Sequence, residues 1–255
     1  MLIAQLSDPH IGATAAGKPH GMSPQATLAR AVAALLALHR QPDVVVVSGD
    51  LVEAGTPDEY ALLRTLLAPL PMPVHLMTGN HEERAALRAA FPEHDYLGPP
   101  GGFVQYGFDA GEWRILMLDS LEPGRPSGHL CATRLAWLAA ELERARDRPV
   151  IVFVHHSPLI TGASHIDRSR LLDGAALAAV LRRHPRIERV ICGHVHRAMH
   201  AAWAGTVVTT CPSVFYQFVV DLRTEGRFAP AAEMPGYQLH HIHDGCLLSY
   251  TIGLA

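Results

Sequence analysis

No stretch of this chain stays apolar for the roughly 18 residues that a membrane span demands. The longest helical apolar stretch, Ala31 to Leu38, is hemmed in by Arg30, His39 and Arg40, so no membrane segment is expected. A secretory leader is not expected either: Met1-Leu2-Ile3-Ala4-Gln5-Leu6-Ser7-Asp8 has no basic start and too short an apolar stretch. Long runs of Lys or Arg are missing and the formal net charge is −3, which argues against a dedicated nucleic-acid binder with its basic stripe. Cysteine is sparse as well. Cys131, Cys192, Cys211 and Cys246 are scattered without a CxxC pair, and they read as reduced core thiols of a cytoplasmic protein. Charged residues make up 18% of the 255 positions and hydrophobic ones 49%, a balance that supports a sizeable core and leaves little room for disorder.

Histidine is plentiful, at 17 residues against 21 Lys plus Arg. Imidazole is the commonest metal ligand and a frequent acid–base group, so the placement of these residues matters. The chain begins β-α-β-α-β. Leu2 to Leu6 reads as a strand, and Ser23-Pro24 as a cap and first-turn proline for a helix carrying Leu28, Val32, Leu35 and Leu36 on one face. The unbroken run Val44-Val45-Val46-Val47 reads as a strand buried on both sides, as in a parallel sheet covered by helices. Thr56-Pro57-Asp58-Glu59 starts the next helix with a capping box. Val74 to Met77 is a strand and Glu83 to Phe91 a short helix.

Further on, Phe103 to Phe108 and Trp113 to Leu118 read as a hairpin around Asp109-Ala110-Gly111-Glu112. A helix follows with the core stripe Leu135, Leu138 and Leu142, then a strand from Val150 to Val154. After the irregular segment Leu159 to Leu172, Asp173 is expected to cap a helix, and Ile187 to Cys192 forms another strand. Met199 to Trp203, Thr206 to Thr210, Phe218 to Leu222, Gln238 to His243 and Leu247 to Ile252 read as strands, with Thr224 to Gly236 as a surface loop. With no repeat and no linker, the expectation is one domain, residues 1–255, of two packed sheets with helices outside.

Five strand ends carry metal-type residues: Asp8-Pro9-His10, Gly49-Asp50, Gly79-Asn80-His81, His155, and Gly193-His194-Val195-His196. Ligands of parallel α/β sheets sit beyond the carboxyl ends of the strands. A buried acid such as Asp50 needs a partner, and a carboxylate can bridge two cations. Imidazole and carboxylate together suit zinc, iron, manganese or cobalt. Asn80 adds a neutral carbonyl oxygen, and His194 and His196, one residue apart, can diverge to different ions.

In these motifs the chain resembles the calcineurin-like metallophosphoesterases, whose pattern runs D-x-H, G-D, G-N-H-[DE], a lone His and G-H-x-H between Asp8 and His196. The resemblance implies an α/β fold, a four-layer αββα sandwich of two mixed sheets flanked by helices. It implies one ion held by Asp8, His10, Asp50 and His196, and a second by Asp50, Asn80, His155 and His194. Asn80 and His81 become the catalytic candidates, with His81 either the acid for the leaving alkoxide or a residue that only orients the phosphate. The opening Gln5-Leu6-Ser7-Asp8-Pro9-His10-Ile11, the segment Gly49-Asp50-Leu51-Val52, and Thr210-Cys211-Pro212-Ser213 are most similar to the bacterial cyclic-nucleotide phosphodiesterase and glycerophosphodiesterase branch.

The function expected from this likeness is hydrolysis of a small phosphodiester by a metal-activated hydroxide, with a phosphomonoesterase or nucleotide pyrophosphatase as the alternative. Gly49-Asp50-Leu51-Val52-Glu53 lacks the Asp-Arg of the protein phosphatases, and Glu82 departs from the Asp more usual in the cyclic-nucleotide branch. A metal-free scaffold would have no need for seven such ligands. Tyr216 and Gln217 lie where related enzymes place phosphate-facing groups, but their local pattern does not assign them. His156 is read as structural, pointing away from His155 along an extended chain. His20, His165 and His241 fit either a site rim or the surface. The hydrophobic C-terminal strands offer a surface for a homo-oligomer.

Overall fold

The computed structural model describes residues 1–18, 21–224 and 226–254. Its first sheet is built on β1 (Leu2–Leu6), β2 (Val44–Val47) and β3 (Val74–Leu76), linked through α1 (Pro24–Leu36) and α2 (Pro57–Leu67). The three strands pair in parallel, as right-handed β-α-β crossovers require. Both helices start as the sequence dictates: Ser23 accepts from the Ala26 amide, and Thr56 with Glu59 forms a capping box. After α3 (Arg84–Ala90), which is capped by the Glu83 carboxylate, comes a hairpin of β4 (Tyr106–Ala110) and β5 (Trp113–Leu118).

The second sheet grows on that hairpin. Helix α4 (Ala132–Arg144) leads to β6 (Val150–Val154), then the short α5 (Ser164–Asp167), α6 (Gly174–Leu181) and β7 (Ile187–Cys192). A second hairpin, β8 (Met199–Trp203) and β9 (Thr206–Thr210), completes it in the order β4-β5-β6-β7-β9-β8. Strands β10 (Gln217–Phe218) and β11 (Pro230–Ala231) form a small ribbon of their own. The chain then returns to the first sheet, where β12 (Gly236–His243) and β13 (Cys246–Gly253) extend it as β13-β12-β1-β2-β3.

Each sheet mixes parallel and antiparallel pairs, and three apolar layers hold the whole together. Ile3, Val44 and Val46 of the first sheet pack with Ile115, Ile151 and Phe153 of the second. Val45 and Val47 turn the other way, onto Leu28 and Leu35 of α1 and Leu63 of α2. Val150, Val152 and Val154 meet Leu138 and Leu142 of α4 and Leu177 of α6. The four-layer αββα sandwich is therefore present. It also explains the uninterrupted valines: in a two-layered core every face of a central strand is dry.

Several boundaries move. The first hairpin turns through Gly111-Glu112, with Ala110 opposite Trp113, so β4 starts later than Phe103. Val104 is withdrawn from the ladder because its amide donates to the Asp119 carboxylate at 2.8 Å. Asp173 stands at the N-cap of α6 as expected, but its carboxylate makes no capping bond and is taken instead by His129 Nδ1 (2.6 Å) and the Leu130 amide (2.9 Å). The strand expected over Phe218 to Leu222 is cut short at Phe218. There the Asp221 carboxylate accepts from the Arg223 and Arg227 amides and folds the chain back, which places β11 inside the segment read as a plain loop. Among the described residues no helix is long and apolar enough to cross a membrane.

Candidate metal centre

The strands β1, β2, β3, β6 and β7 all end at one edge of the sandwich, and their successors converge there. The loop after β1 is laced to the loop after β2 by Asp8 N to Gly49 O (3.2 Å) and His10 N to Asp50 O (3.0 Å). Within the second sheet, the ends of β6 and β7 are joined by Gly193 N donating to His155 O at 3.0 Å. Two glycines permit this crowding. A Cβ at Gly49 would lie 2.4 Å from His155 Nδ1, and one at Gly79 would lie 2.1 Å from Asp50 Oδ1. The backbone is also bent into a rare region. Asp8, His10, Asp50, His194 and His196 all have φ between 45° and 68°, a conformation that costs roughly 1–3 kcal/mol per residue and concentrates at functional sites.

Side chains meet at short range. His10 Nε2 lies 3.2 Å from His196 Nε2 and 3.7 Å from Asp50 Oδ2. His196 Nε2 is 3.4 Å from Asp8 Oδ1, and His155 Nε2 is 3.3 Å from Asp50 Oδ1 and 3.9 Å from Asp8 Oδ1. Asp50 thus turns one oxygen toward His10 and the other toward His155. Its Oδ1 also accepts from the Asn80 amide (2.8 Å) and the His81 amide (3.1 Å). Asp8 is held by the Ser7 hydroxyl and by the His194 amide at 3.1 Å.

Ring orientation is fixed from behind. The Nδ1–H of His155 donates to Ser48 O (2.7 Å), that of His196 to Tyr216 O (2.8 Å), that of His81 to Glu53 O (2.7 Å), and that of His10 to the Glu53 carboxylate (2.9 Å). An oxygen that can only accept dictates the tautomer, so each of these rings presents an unprotonated Nε2 to the centre when neutral, as metal ligation by His10, His155 and His196 requires.

Several buried atoms here have no partner among the described residues: Asn80 Oδ1, His155 Nε2, and both ring nitrogens of His194. Buried polar groups are nearly always satisfied, and two unprotonated nitrogens at 3.2 Å repel unless a cation lies near both. Charge tells the same story. Burial opposes ionisation of Asp50, yet His155 beside it holds its carboxyl well below the usual range. Burial likewise opposes a charge on His155, while Asp50 and Asp8 drive it up to about 10. The carboxylates demand positive charge, and burial keeps His10 below the ordinary imidazole range, free to act as a neutral donor. Asp8, His10 and His196 form one group whose donor atoms could hold an ion, and Asp8, Asp50 and His155 another. The donor set fits divalent metal ions.

Other residues fall into place around this centre. Glu82 has the largest supporting part: its carboxylate accepts from the amides of Asp50 (3.0 Å), Leu51 (2.7 Å), Val52 (3.3 Å) and Gly79 (2.5 Å), tying the β2 and β3 loops together. Its position beside Asn80 and His81 was the only sequence signal for that role. Glu53, three residues after Asp50, orients His10 and was not anticipated. His156 does not point away: the chain leaves strand geometry after Val154, and the His156 ring lies 4.6 Å from that of His194 and 5.0 Å from that of His155. Gln217 is turned inward, donating to Ser213 O at 2.8 Å, whereas Tyr216 lines the cavity over the centre. His165 lines that cavity too, His241 pairs with Arg40 at a distant edge (3.3 Å), and His20 lies outside the described residues. The cavity measures about 560 Å³ and also exposes Asn80, His81, His194 and His196.

Strand ends that deliver imidazoles, carboxylates and an amide oxygen to one buried point define a metal-dependent enzyme. Comparison with known proteins gives the class its family. Residues 1–198 match the calcineurin-like phosphoesterases, and the chain belongs to that family, which uses two divalent metal ions. It is 30% identical over 242 residues to a probable glycerophosphodiester phosphodiesterase of Arcobacter nitrofigilis, covering 94% of this chain and 88% of the relative. It is 29% identical over 244 residues to a 3′,5′-cyclic adenosine monophosphate phosphodiesterase of Pseudomonas aeruginosa, covering 96% and 86%. A dimetal phosphatase from Danio rerio has the same fold, with a TM-score of 0.77 at 16% identity over 100% of this chain and 96% of its own.

Proposed function

We propose that the chain, as one metallophosphoesterase domain spanning residues 1–255, hydrolyses small phosphodiesters, either 3′,5′-cyclic nucleotides such as cyclic AMP or glycerophosphodiesters. The reading is supported by the names of the relatives above and by the divided reach of Asp50. That carboxylate offers Oδ2 toward His10 at 3.7 Å and Oδ1 toward His155 at 3.3 Å. In this reading Asp8, His10, Asp50 and His196 hold one ion, and Asp50, Asn80, His155 and His194 hold the other. Two divalent ions held by these residues would supply Lewis acidity for the phosphoryl oxygens and would lower the pKa of a water nucleophile.

The protein's own residues do the rest. Asn80 contributes a neutral oxygen, which limits the negative charge facing an anionic substrate. His81 turns Nε2 toward the centre, 4.0 Å from Asp50 Oδ2, with Nδ1–H fixed on Glu53 O. Asp50 and Glu53 raise its affinity for a proton against the opposing effect of burial. A protonated His81 can then hand the Nε2 proton to the departing alkoxide. A cytoplasmic location belongs to the same reading, supported by four cysteines that stand free of disulfides.

The test is a substrate panel with the Mn²⁺-loaded enzyme. Bis(4-nitrophenyl) phosphate is expected to be hydrolysed in preference to 4-nitrophenyl phosphate, and the reverse preference would establish a monoesterase. In the same panel His81→Ala should lose about a hundredfold on an alkyl diester. It should lose far less on the nitrophenyl ester, whose leaving group needs no proton. Equal losses on both would remove the acid role.

A further inference from the structure

The cavity above the metal centre has one wall that the hydrolysis itself does not require. Phe218 stacks on the ring of His196 (4.4 Å between centroids, 25° between planes), and Phe228 packs on Phe218 at 4.4 Å and 44°. Tyr216 meets Phe218 edge-on at 5.2 Å, and His165 meets Phe228 edge-on at 6.2 Å. The result is a ladder of aromatic rings that climbs from a candidate metal ligand toward the cavity mouth.

This wall is held in place by its own framework. Phe218 pairs with Pro230 in the β10–β11 ribbon, its carbonyl accepts from Arg197 at 3.0 Å, and His165 Nε2–H donates to the neighbouring Val219 carbonyl at 3.1 Å. Phe218 is nearly covered, at 8% exposure, but Phe228 leaves 66% of its surface to water. A large aromatic ring left bare inside a cavity is a stacking platform without its partner, since offset stacking on a planar group is favourable beyond area alone. Two cations share the space: Lys18, whose Nζ lies 3.8 Å above the Tyr216 ring, and Arg168.

We infer that this wall selects phosphodiesters whose ester group carries a planar aromatic ring, a nucleobase stacked on Phe228 while the phosphate sits at the metal centre. The inference rests on the phosphodiesterase reading above and chooses within it. A glycerol substituent has no flat face to offer such a wall. A quaternary ammonium would also suit aromatic rings, and Glu53 lines the cavity together with Lys18 and Arg168, so glycerophosphocholine is the competing substrate that the test includes. A cavity of about 560 Å³ accommodates a nucleotide and is generous for a glycerol ester.

The test compares the wild type with Phe228→Ala and Phe228→Tyr. Steady-state constants are measured for cyclic AMP, glycerophosphoethanolamine and glycerophosphocholine, and binding of the product adenosine 5′-monophosphate is followed by calorimetry. Phe228→Ala should raise KM for cyclic AMP and Kd for the nucleotide about tenfold. The loss in kcat/KM should exceed that on glycerophosphoethanolamine by a similar factor, and Phe228→Tyr should restore it. An active enzyme whose Phe228→Ala variant loses equally on all substrates, loses nothing, or loses most on glycerophosphocholine overturns the inference alone. A wild type that hydrolyses no diester overturns the reading beneath it as well.

Discussion

Replacing Asp50 with alanine should strip the protein of both metal ions and lower diester turnover by a factor on the order of a thousand. The expectation follows from where its oxygens lie. One is 3.7 Å from the His10 ring nitrogen and the other 3.3 Å from that of His155, so in the proposed assignment this one residue would serve both ions. The change also strands the Asn80 and His81 amides, which Asp50 Oδ1 accepts. Asp50→Asn separates the two effects, because it keeps the shape and an acceptor while removing the charge; it too should lose both ions. Asn80→Ala should mainly weaken one. Metal content per chain, measured by plasma emission after desalting, distinguishes these outcomes. Two tightly retained ions in Asp50→Ala would refute the bridging role.

Glu82→Ala is expected to have the largest effect on stability among residues that touch no substrate. Four backbone N–H groups, from Asp50, Leu51, Val52 and Gly79, end on its buried carboxylate. Removing it leaves those donors without an acceptor in a dry environment, a loss of about 3–5 kcal/mol by analogy with broken buried charged networks. The urea midpoint should fall accordingly with little change in slope. Metal retention should fall too, because the loops carrying Asp50 and Asn80 lose their common anchor. Glu82→Gln keeps one carbonyl oxygen but turns an amide donor toward N–H groups, so it should lie between wild type and alanine. A Glu82→Ala midpoint equal to that of the wild type would show that water or a loop shift replaces the carboxylate without loss.

How much of this was legible depends on the kind of interaction that fixes each element. Val44 to Val47 announces a strand dry on both faces, and the observed packing onto Ile151 and Phe153 on one side and Leu35 and Leu63 on the other is its cause. Asp8, His10, Asp50, Asn80, His155, His194 and His196 stood out because each follows a β-like run, and the fold brings those strand ends to one edge. The remainder is set by contacts between distant side chains and backbone, which carry no local period. Asp221 curls the chain after Phe218 by accepting two amides, and the Asp119 carboxylate pulls Val104 out of the first hairpin. His156 swings beside His194 because strand alternation stops at Val154. The aromatic pair Phe218 and Phe228 was equally silent in sequence, since it assembles from a two-residue ribbon and an irregular segment.

The metal content of the active enzyme tests the two-ion centre most directly. Protein loaded with Mn²⁺ and desalted should carry two ions per chain and hydrolyse bis(4-nitrophenyl) phosphate. Chelation should abolish that activity, and renewed Mn²⁺ should restore it. Full diesterase activity that survives chelation in protein carrying one ion or none would contradict it.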